Sequence, residues 1–217
     1  MKAIVHPNEK APDMFKNKFL NKMIWSNPVL IFVIYAIAGA FLIYSSYFDY
    51  GLSILTIIAL FGAGIISWTL TEYLLHRYVY HDKVDGSYHS GLHYILHGVH
   101  HSYPNDKSKT VIPPLPSIII LSLLYGLLYL IMGKFALAFS AGFFFGYGTY
   151  TMIHYATHQY KAPKKYNFWW RHHSIHHYQQ HDRAFGVSSP LWDYVFRSMP
   201  EKNRRTIEIE IHKSTVE

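Results

Sequence analysis

The chain has 217 residues, which suits one domain with short tails. Half of the residues are hydrophobic and 15% are charged, fewer than the roughly 25% of ordinary soluble domains, and the absence of Cys excludes disulfides and thiolate metal sites. The net charge of +7 sits beside long apolar runs, which favours a membrane surface over nucleic acid as its counterpart, and the 16 His restrict any metal chemistry to imidazole and carboxylate ligands.

Residues 1–27 are polar and read as a cytosolic N-terminal segment. No short apolar stretch precedes a small-residue cleavage site, so no cleaved signal peptide is expected. Met14, Phe15, Phe19, Leu20 and Met23 recur at near-helical spacing among Lys16, Lys18 and Lys22. That pattern fits an interfacial amphipathic helix, or equally a solvated lead-in. Four apolar runs follow, at about 28–48, 52–75, 115–132 and 135–153, each near the length that crosses a bilayer. The turns within each pair are tiny, Asp49-Tyr50-Gly51 and Gly133-Lys134, so the runs form two antiparallel hairpins. Residues 76–114 and 154–200 are the segments that the hairpins lead into, and 201–217 is a polar tail. Of the 20 Lys and Arg, only Lys134 lies in a short turn. The positive-inside rule therefore places both termini and both His-rich segments on the cytoplasmic side.

None of the His lies in the middle of a span. His76 and His81 stand where the second run ends, with His89, His93, His97, His100 and His101 following. His154 and His158 stand where the fourth run ends, followed by His172, His173, His176, His177 and His181. Residues three and four apart share a helix face, so each HxxHH triplet (97, 100, 101 and 173, 176, 177) and the pair His154/His158 can aim at one point. His76 and His81 are five apart, which fits a straight helix poorly and predicts that the helix ends or bends there. A lone interfacial His is ordinary filler and a single HxxxH is weak. Four clusters in this order at the ends of two hairpins are specific.

Ten imidazoles exceed one metal's needs and suit two ions with four or five each. The expected ligands are His76, His81, His97, His100, His101, His154, His158, His173, His176 and His177. Glu72, one turn before His76, would be costly in lipid unless paired, either with a ligand imidazole or with Arg77 or another polar side chain. Asp182 and Asp193 are further candidates for supporting the ligands. Metal at the lipid–water boundary can meet a substrate whose tail stays in the bilayer, and oxygen-dependent attack on an unactivated C–H bond is the chemistry that needs a redox metal there. Zinc has no redox chemistry, so activity implies iron, although a His site readily accepts zinc in a purified sample.

The stretch Glu72-Tyr73-Leu74-Leu75-His76-Arg77, the H-x-x-x-H-G-x-H-H run from His93 to His101, Asp106-Lys107, Val111 to Pro114, Phe185-Gly186-Val187 and Trp192-Asp193 through Phe196 together resemble the fatty acid hydroxylase superfamily. This superfamily includes sterol desaturases, and the resemblance, over about 68–199, is closest to sphingolipid fatty acid 2-hydroxylases. It implies an all-α integral membrane protein: four transmembrane helices in two hairpins under a cytosolic dimetal cap. It also implies the ten ligands above. His93 matches a family position but ranks below them; His172 and His181 are less certain, and His89 is weaker still. The implied reaction is 2-hydroxylation of a fatty acid or ceramide acyl chain with O2. Family members often carry a haem-binding cytochrome b5 domain, whereas here His6-Pro7 lacks the Gly-Gly of the haem motif. Electrons are expected from a separate cytochrome b5, ferredoxin or reductase. Lys161, Lys164, Lys165 and Arg171 are able to dock an acidic donor or simply to set topology. The alternatives are sterol or carotenoid hydroxylation or desaturation, a membrane metal transporter, which would need ligands at the bilayer midplane, and a zinc hydrolase.

Overall fold

The structure is a computed structural model that describes residues 2–81, 94–206 and 208–211. In chain order it contains strand β1 (Lys2–Val5), helix α1 (Lys18–Met23), α2 (Pro28–Phe48) and α3 (Ile54–Leu74). A wide π-helical turn (Leu75–Tyr80) extends α3, and a second one (Tyr94–Gly98) leads into the short helix α4 (Val99–Ser102). Then come α5 (Pro114–Met132), α6 (Phe135–Gln159), α7 (Phe168–Tyr178), α8 (Leu191–Val195) and strand β2 (Glu208–Ile211).

Local chemistry sets the long helices. Asn27 caps α2 by accepting from the Leu30 amide at 3.0 Å, with Pro28 preorganised at the first helical position. Ser53 caps α3 through the Thr56 amide. Gly51 (φ 62°) and Gly133 (φ 56°) supply the left-handed residues of the two tight turns. Among the described residues, three helices are long and apolar enough to cross a membrane: Pro28–Phe48, Ile54–Tyr80 and Pro114–Met132. They carry Val33, Ile37, Phe41, Leu55, Ile58, Leu123 and Leu130 on exposed faces, a distribution suited to lipid rather than water.

The fourth long helix differs. α6 packs along both α2 and α3, which barely touch one another, so the second hairpin is wedged into the first rather than standing beside it. Its buried face is rich in small residues (Ala136, Ala138, Ser140, Ala141, Gly142, Gly146 and Gly148), which lets helix backbones approach closely where water provides no driving force. Tyr35, Trp68, Phe143, Phe144 and Tyr147 fill the core around it.

Two expectations change here. An all-α chain with a plain polar tail becomes a mostly helical one with a small sheet: β1 and β2 pair in parallel, Lys2 opposite Glu208 and Val5 opposite Ile211. The period-2 alternation of Ile and Glu across 207–211 is its sequence signal. The interfacial helix is also shorter than the pattern from Met14 to Met23, because only Lys18–Met23 is helical. The rest of the N-terminal segment follows the cap, with the His6 amide donating to the Ser102 carbonyl (2.8 Å) and the Ser26 amide to the Ser108 carbonyl (3.0 Å).

Candidate metal centre

The helix does end between His76 and His81, as expected, but it widens first: the α-helix passes at Leu75 into a π-helical turn that closes at Tyr80, with His81 at its C-cap. In the π-helical turn Leu75–Tyr80 residues five apart come onto one face, so the HxxxxH spacing that mismatches an α-helix becomes an aligned pair. The second wide turn, Tyr94–Gly98, delivers His97 in the same way beside α4, which carries His100 and His101. The last turn and a half of α6 carries His154 and His158, and α7 carries His173, His176 and His177.

These ten imidazoles gather into two groups of five, each with one ring nitrogen per residue within 4.8 Å of all the others. The first holds His76, His81, His97, His101 and His176; the second holds His100, His154, His158, His173 and His177. The groups abut, the His101 and His177 rings stacking at 4.1 Å. Each HxxHH motif is split: its i and i+4 members enter one group and its i+3 member the other.

The nitrogen spacing permits a test of fit. Nε2 atoms approach at 3.0 Å (His76 and His97), 2.9 Å (His97 and His101) and 3.1 Å (His81 and His176) in the first group. In the second they approach at 2.9 Å (His100 and His154) and 2.8 Å (His158 and His173). Around one ion with metal–nitrogen bonds of about 2.1 Å, ligands at right angles stand about 3.0 Å apart and tetrahedral ligands about 3.4 Å apart. The spacing therefore fits five nitrogens crowding one ion better than a four-coordinate structural zinc. His177 is buried with neither ring nitrogen bonded to protein. Burial first, and then the neighbouring imidazoles, hold His81, His97, His100, His101, His173 and His177 well below their ordinary 6.5. Burial likewise lowers His176, although its bond to the Arg183 carbonyl opposes the shift. These rings are neutral at neutral pH, the form that ligates metal.

One loop orients the first group. His76 Nδ1 donates to the Phe185 carbonyl at 2.5 Å and His176 Nδ1 to the Arg183 carbonyl at 2.7 Å, which turns both Nε2 atoms inward. Ala184 lies between these two carbonyls in the left-handed region (φ 58°). Two buried carboxylates hold this loop. Asp193 accepts from the Phe185 amide (2.9 Å), the Gly186 amide (2.8 Å), the Ser198 hydroxyl (2.7 Å) and His172 Nε2 (3.0 Å). Burial pushes the Asp193 carboxyl up, but the bonds from His172, Ser198 and Gly186 outweigh it and hold the group below its ordinary value. Glu72 accepts from the amides of Val187 (2.6 Å) and Ser188 (2.9 Å) and from the Ser188 hydroxyl.

Glu72 thus meets neither an imidazole nor Arg77 but another polar side chain, Ser188, together with two backbone amides, and Arg77 donates to the Tyr73 hydroxyl at 2.5 Å instead. His172 belongs to neither group and serves Asp193, stacked on Phe168. His181 is outside both groups too, donating from Nε2 to the His177 carbonyl at 2.8 Å. Asp182 does not support the ligands: it forms a surface ion pair with Arg204 at 2.7 Å. His89 and His93 lie outside the described residues. The loop carbonyls of Arg183 and Phe185 escaped sequence reading, since backbone acceptors leave no residue-type signal.

An apolar pocket adjoins the first group, with His76, Tyr80 and Tyr150 at its head.

Comparison with known proteins agrees with this geometry. The fatty acid hydroxylase family model matches residues 61–198. The rat fatty acid 2-hydroxylase (Rattus norvegicus) is 38% identical over 152 residues, 67% of this chain and 41% of the relative. The dihydroceramide fatty acyl 2-hydroxylase FAH2 of Arabidopsis thaliana is 37% identical over 145 residues, 63% of this chain and 59% of the relative. The chain thus spans about two fifths to three fifths of the length of these relatives. The solved structure described as full-length scs7p, with only its hydroxylase domain visible, aligns over 91% of this chain and 75% of its own with a TM-score of 0.78 at 28% identity. Two clustered sets of imidazoles at the ends of apolar helices, and a family match across both, place this chain in the fatty acid hydroxylase family.

Proposed function

We propose that this chain is an oxygen-dependent dimetal lipid hydroxylase that places a hydroxyl group on C2 of the acyl chain of a fatty acid or ceramide. The observation that carries the reading is the pair of five-imidazole groups, the first of which adjoins an apolar pocket, in a fold of this family. In this reading the ten grouped histidines hold two metal ions, iron for activity. Such ions, when bound, supply the oxygen chemistry that no side chain provides. An all-nitrogen site without carboxylate ligands departs from the Glu-rich soluble di-iron bundles, and the buried, neutral rings are suited to hold it.

The chain's own residues do three things. The loop held by Glu72 and Asp193 fixes His76 and His176 through the Phe185 and Arg183 carbonyls. The cavity walls take up the acyl chain and exclude water from the reacting carbon. The polar head group stays at the cytoplasmic rim. α6 crosses the membrane with the three more apolar helices, giving four spans, and the basic segments put both termini and the histidine cap in the cytoplasm. A separate electron carrier, such as cytochrome b5, a ferredoxin or a reductase, docks on that basic face.

The deciding experiment is expression in a host that lacks 2-hydroxylipids, followed by lipid mass spectrometry with and without oxygen. A new 2-hydroxyacyl lipid that takes its oxygen from 18O2 is expected. An oxidised sterol or carotenoid in its place, or product without oxygen, would overturn the assignment.

A further inference from the structure

The cavity below the histidines has a hard floor. Trp68 and Phe143 meet edge to face at 5.3 Å, and both are buried. Leu121 and Leu124 of α5 line the opposite side, while His76, Tyr80 and Tyr150 form the head, Tyr150 lying 5.5 Å from the His154 ring. Beneath the floor α3 and α6 touch backbone to backbone. A Cβ on Gly64 would lie 2.0 Å from the Phe139 carbonyl, and one on Gly142 would lie 2.0 Å from the Phe61 carbonyl. The cavity therefore has no continuation between these helices. Trp68 is also pinned, since a Cβ on Gly146 would meet its side chain at 2.8 Å. The floor is a fixed surface and not a pair of free rotamers.

Its depth follows from helix geometry. At 1.5 Å per residue, Trp68 lies about 12 Å below His76, Leu124 about 15 Å into α5 from Pro114, and Phe143 about 16 Å below His154. Three helices thus agree on a depth of roughly 12–16 Å, close to one leaflet, half of the ~30 Å hydrocarbon core. An extended chain advances about 1.3 Å per carbon, the projection of a C–C bond near 1.5 Å, so the cavity accepts roughly 9–12 carbons beyond C2.

We propose that Phe143, backed by Trp68, is the specificity-determining floor of the acyl site and limits efficient substrates to chains of about 11–14 carbons. This rests on the hydroxylase reading above, with C2 at the histidine level and the chain pointing into the bilayer. A longer chain bottoms out on Phe143 before its C2 reaches the imidazoles.

The test uses the full chain in a host lacking 2-hydroxylipids, fed an equimolar mixture of saturated fatty acids from C12 to C24. Chain lengths of the 2-hydroxy products are read by mass spectrometry. In parallel, displacement of a fluorescent fatty acid from the purified protein reads length preference without turnover. Wild type is expected to lose product and binding above about C14. Phe143→Ala should raise that limit by roughly two to four carbons, about the length of the ring removed. Leu124→Trp fills the cavity from α5 at the same depth and should lower the limit; it decides the matter if Phe143→Ala fails to fold. Wild-type conversion of C24 as efficient as C14, or an unchanged limit in both variants, overturns the floor. Length-limited binding in a protein that makes no 2-hydroxylipid keeps the floor and rejects the hydroxylase reading instead.

Discussion

Asp193→Asn tests how far the metal centre depends on the loop that orients it. Asp193 is fully buried and accepts four hydrogen bonds, two on each carboxylate oxygen: the Phe185 amide and Ser198 hydroxyl on Oδ1, the Gly186 amide and His172 on Oδ2. Asn is the same size but turns one oxygen into an NH2 donor. Whichever way it flips, at least one backbone amide faces a donor, and if the NH2 takes the Oδ2 position the His172 N–H does too. Each buried polar group left unpaired costs about 1–3 kcal/mol, so the variant should lose roughly 1–6 kcal/mol of stability. The Phe185 carbonyl moves with its amide plane, and it is the acceptor for His76 Nδ1. Loss of such an outer hydrogen bond typically weakens metal binding about 10–100-fold. The assay is metal content per chain after dialysis against a graded chelator, together with the thermal midpoint of the detergent-solubilised protein. The first histidine group should empty at a chelator strength that leaves the second filled. Asp182→Asn is the control: its exposed pair with Arg204 should matter by no more than about 1 kcal/mol and leave metal retention unchanged. Equal retention of both metals by Asp193→Asn and wild type would refute the argument.

Other consequences are simpler. His101→Ala and His176→Ala each remove a ligand nitrogen from the first group and should abolish 2-hydroxy product, whereas His172→Ala, outside both groups, should leave a measurable activity; lipid mass spectrometry separates them. In the metal-free protein, the histidines with depressed values stay neutral while their unfolded counterparts take up protons below about 6.5. Stability from these groups is therefore full above pH 6.5 and falls as the pH drops, each differing proton contributing about 1.4 kcal/mol per pH unit. Thermal midpoints of chelated protein between pH 5 and 8 should show this as a steep loss on the acid side, and a flat profile would contradict it. Gly142→Ala puts a methyl group 2.0 Å from the rigid Phe61 carbonyl and should cost at least the 1–3 kcal/mol of ordinary overpacking, seen as a lowered midpoint or failed expression.

Much of this was legible from residue spacing because spacing and helical geometry share a period. The four apolar runs coincide with long helices, and the i, i+4 members of the HxxHH motifs do share a face. Three things were not legible. The five-residue gap between His76 and His81 reads as a misfit to an α-helix, and only the wide turn reveals it as an alignment. The partners of Glu72 are backbone amides of residues more than a hundred positions away, which no composition encodes. The wedging of α6 between α2 and α3 depends on small residues whose meaning appears only once a facing backbone is in place.

The division of the histidines between the two groups has a consequence for assembly. His76 and His81 serve only the first group, and His154 and His158 only the second. Each hairpin end is thus committed to one group. His97 and His101 join the first while His100 joins the second; His173 and His177 join the second while His176 joins the first. The two segments that carry the HxxHH motifs therefore each donate to both groups and tie them together. A shift of either segment by one residue would misdirect ligands in both groups at once, because neighbours in a helix point about 100° apart. Neither group can be completed from one hairpin alone. The wedge of α6 against α2 and α3 brings the two hairpin ends side by side, and so the small-residue face of α6 is as necessary to the metal centre as the imidazoles themselves.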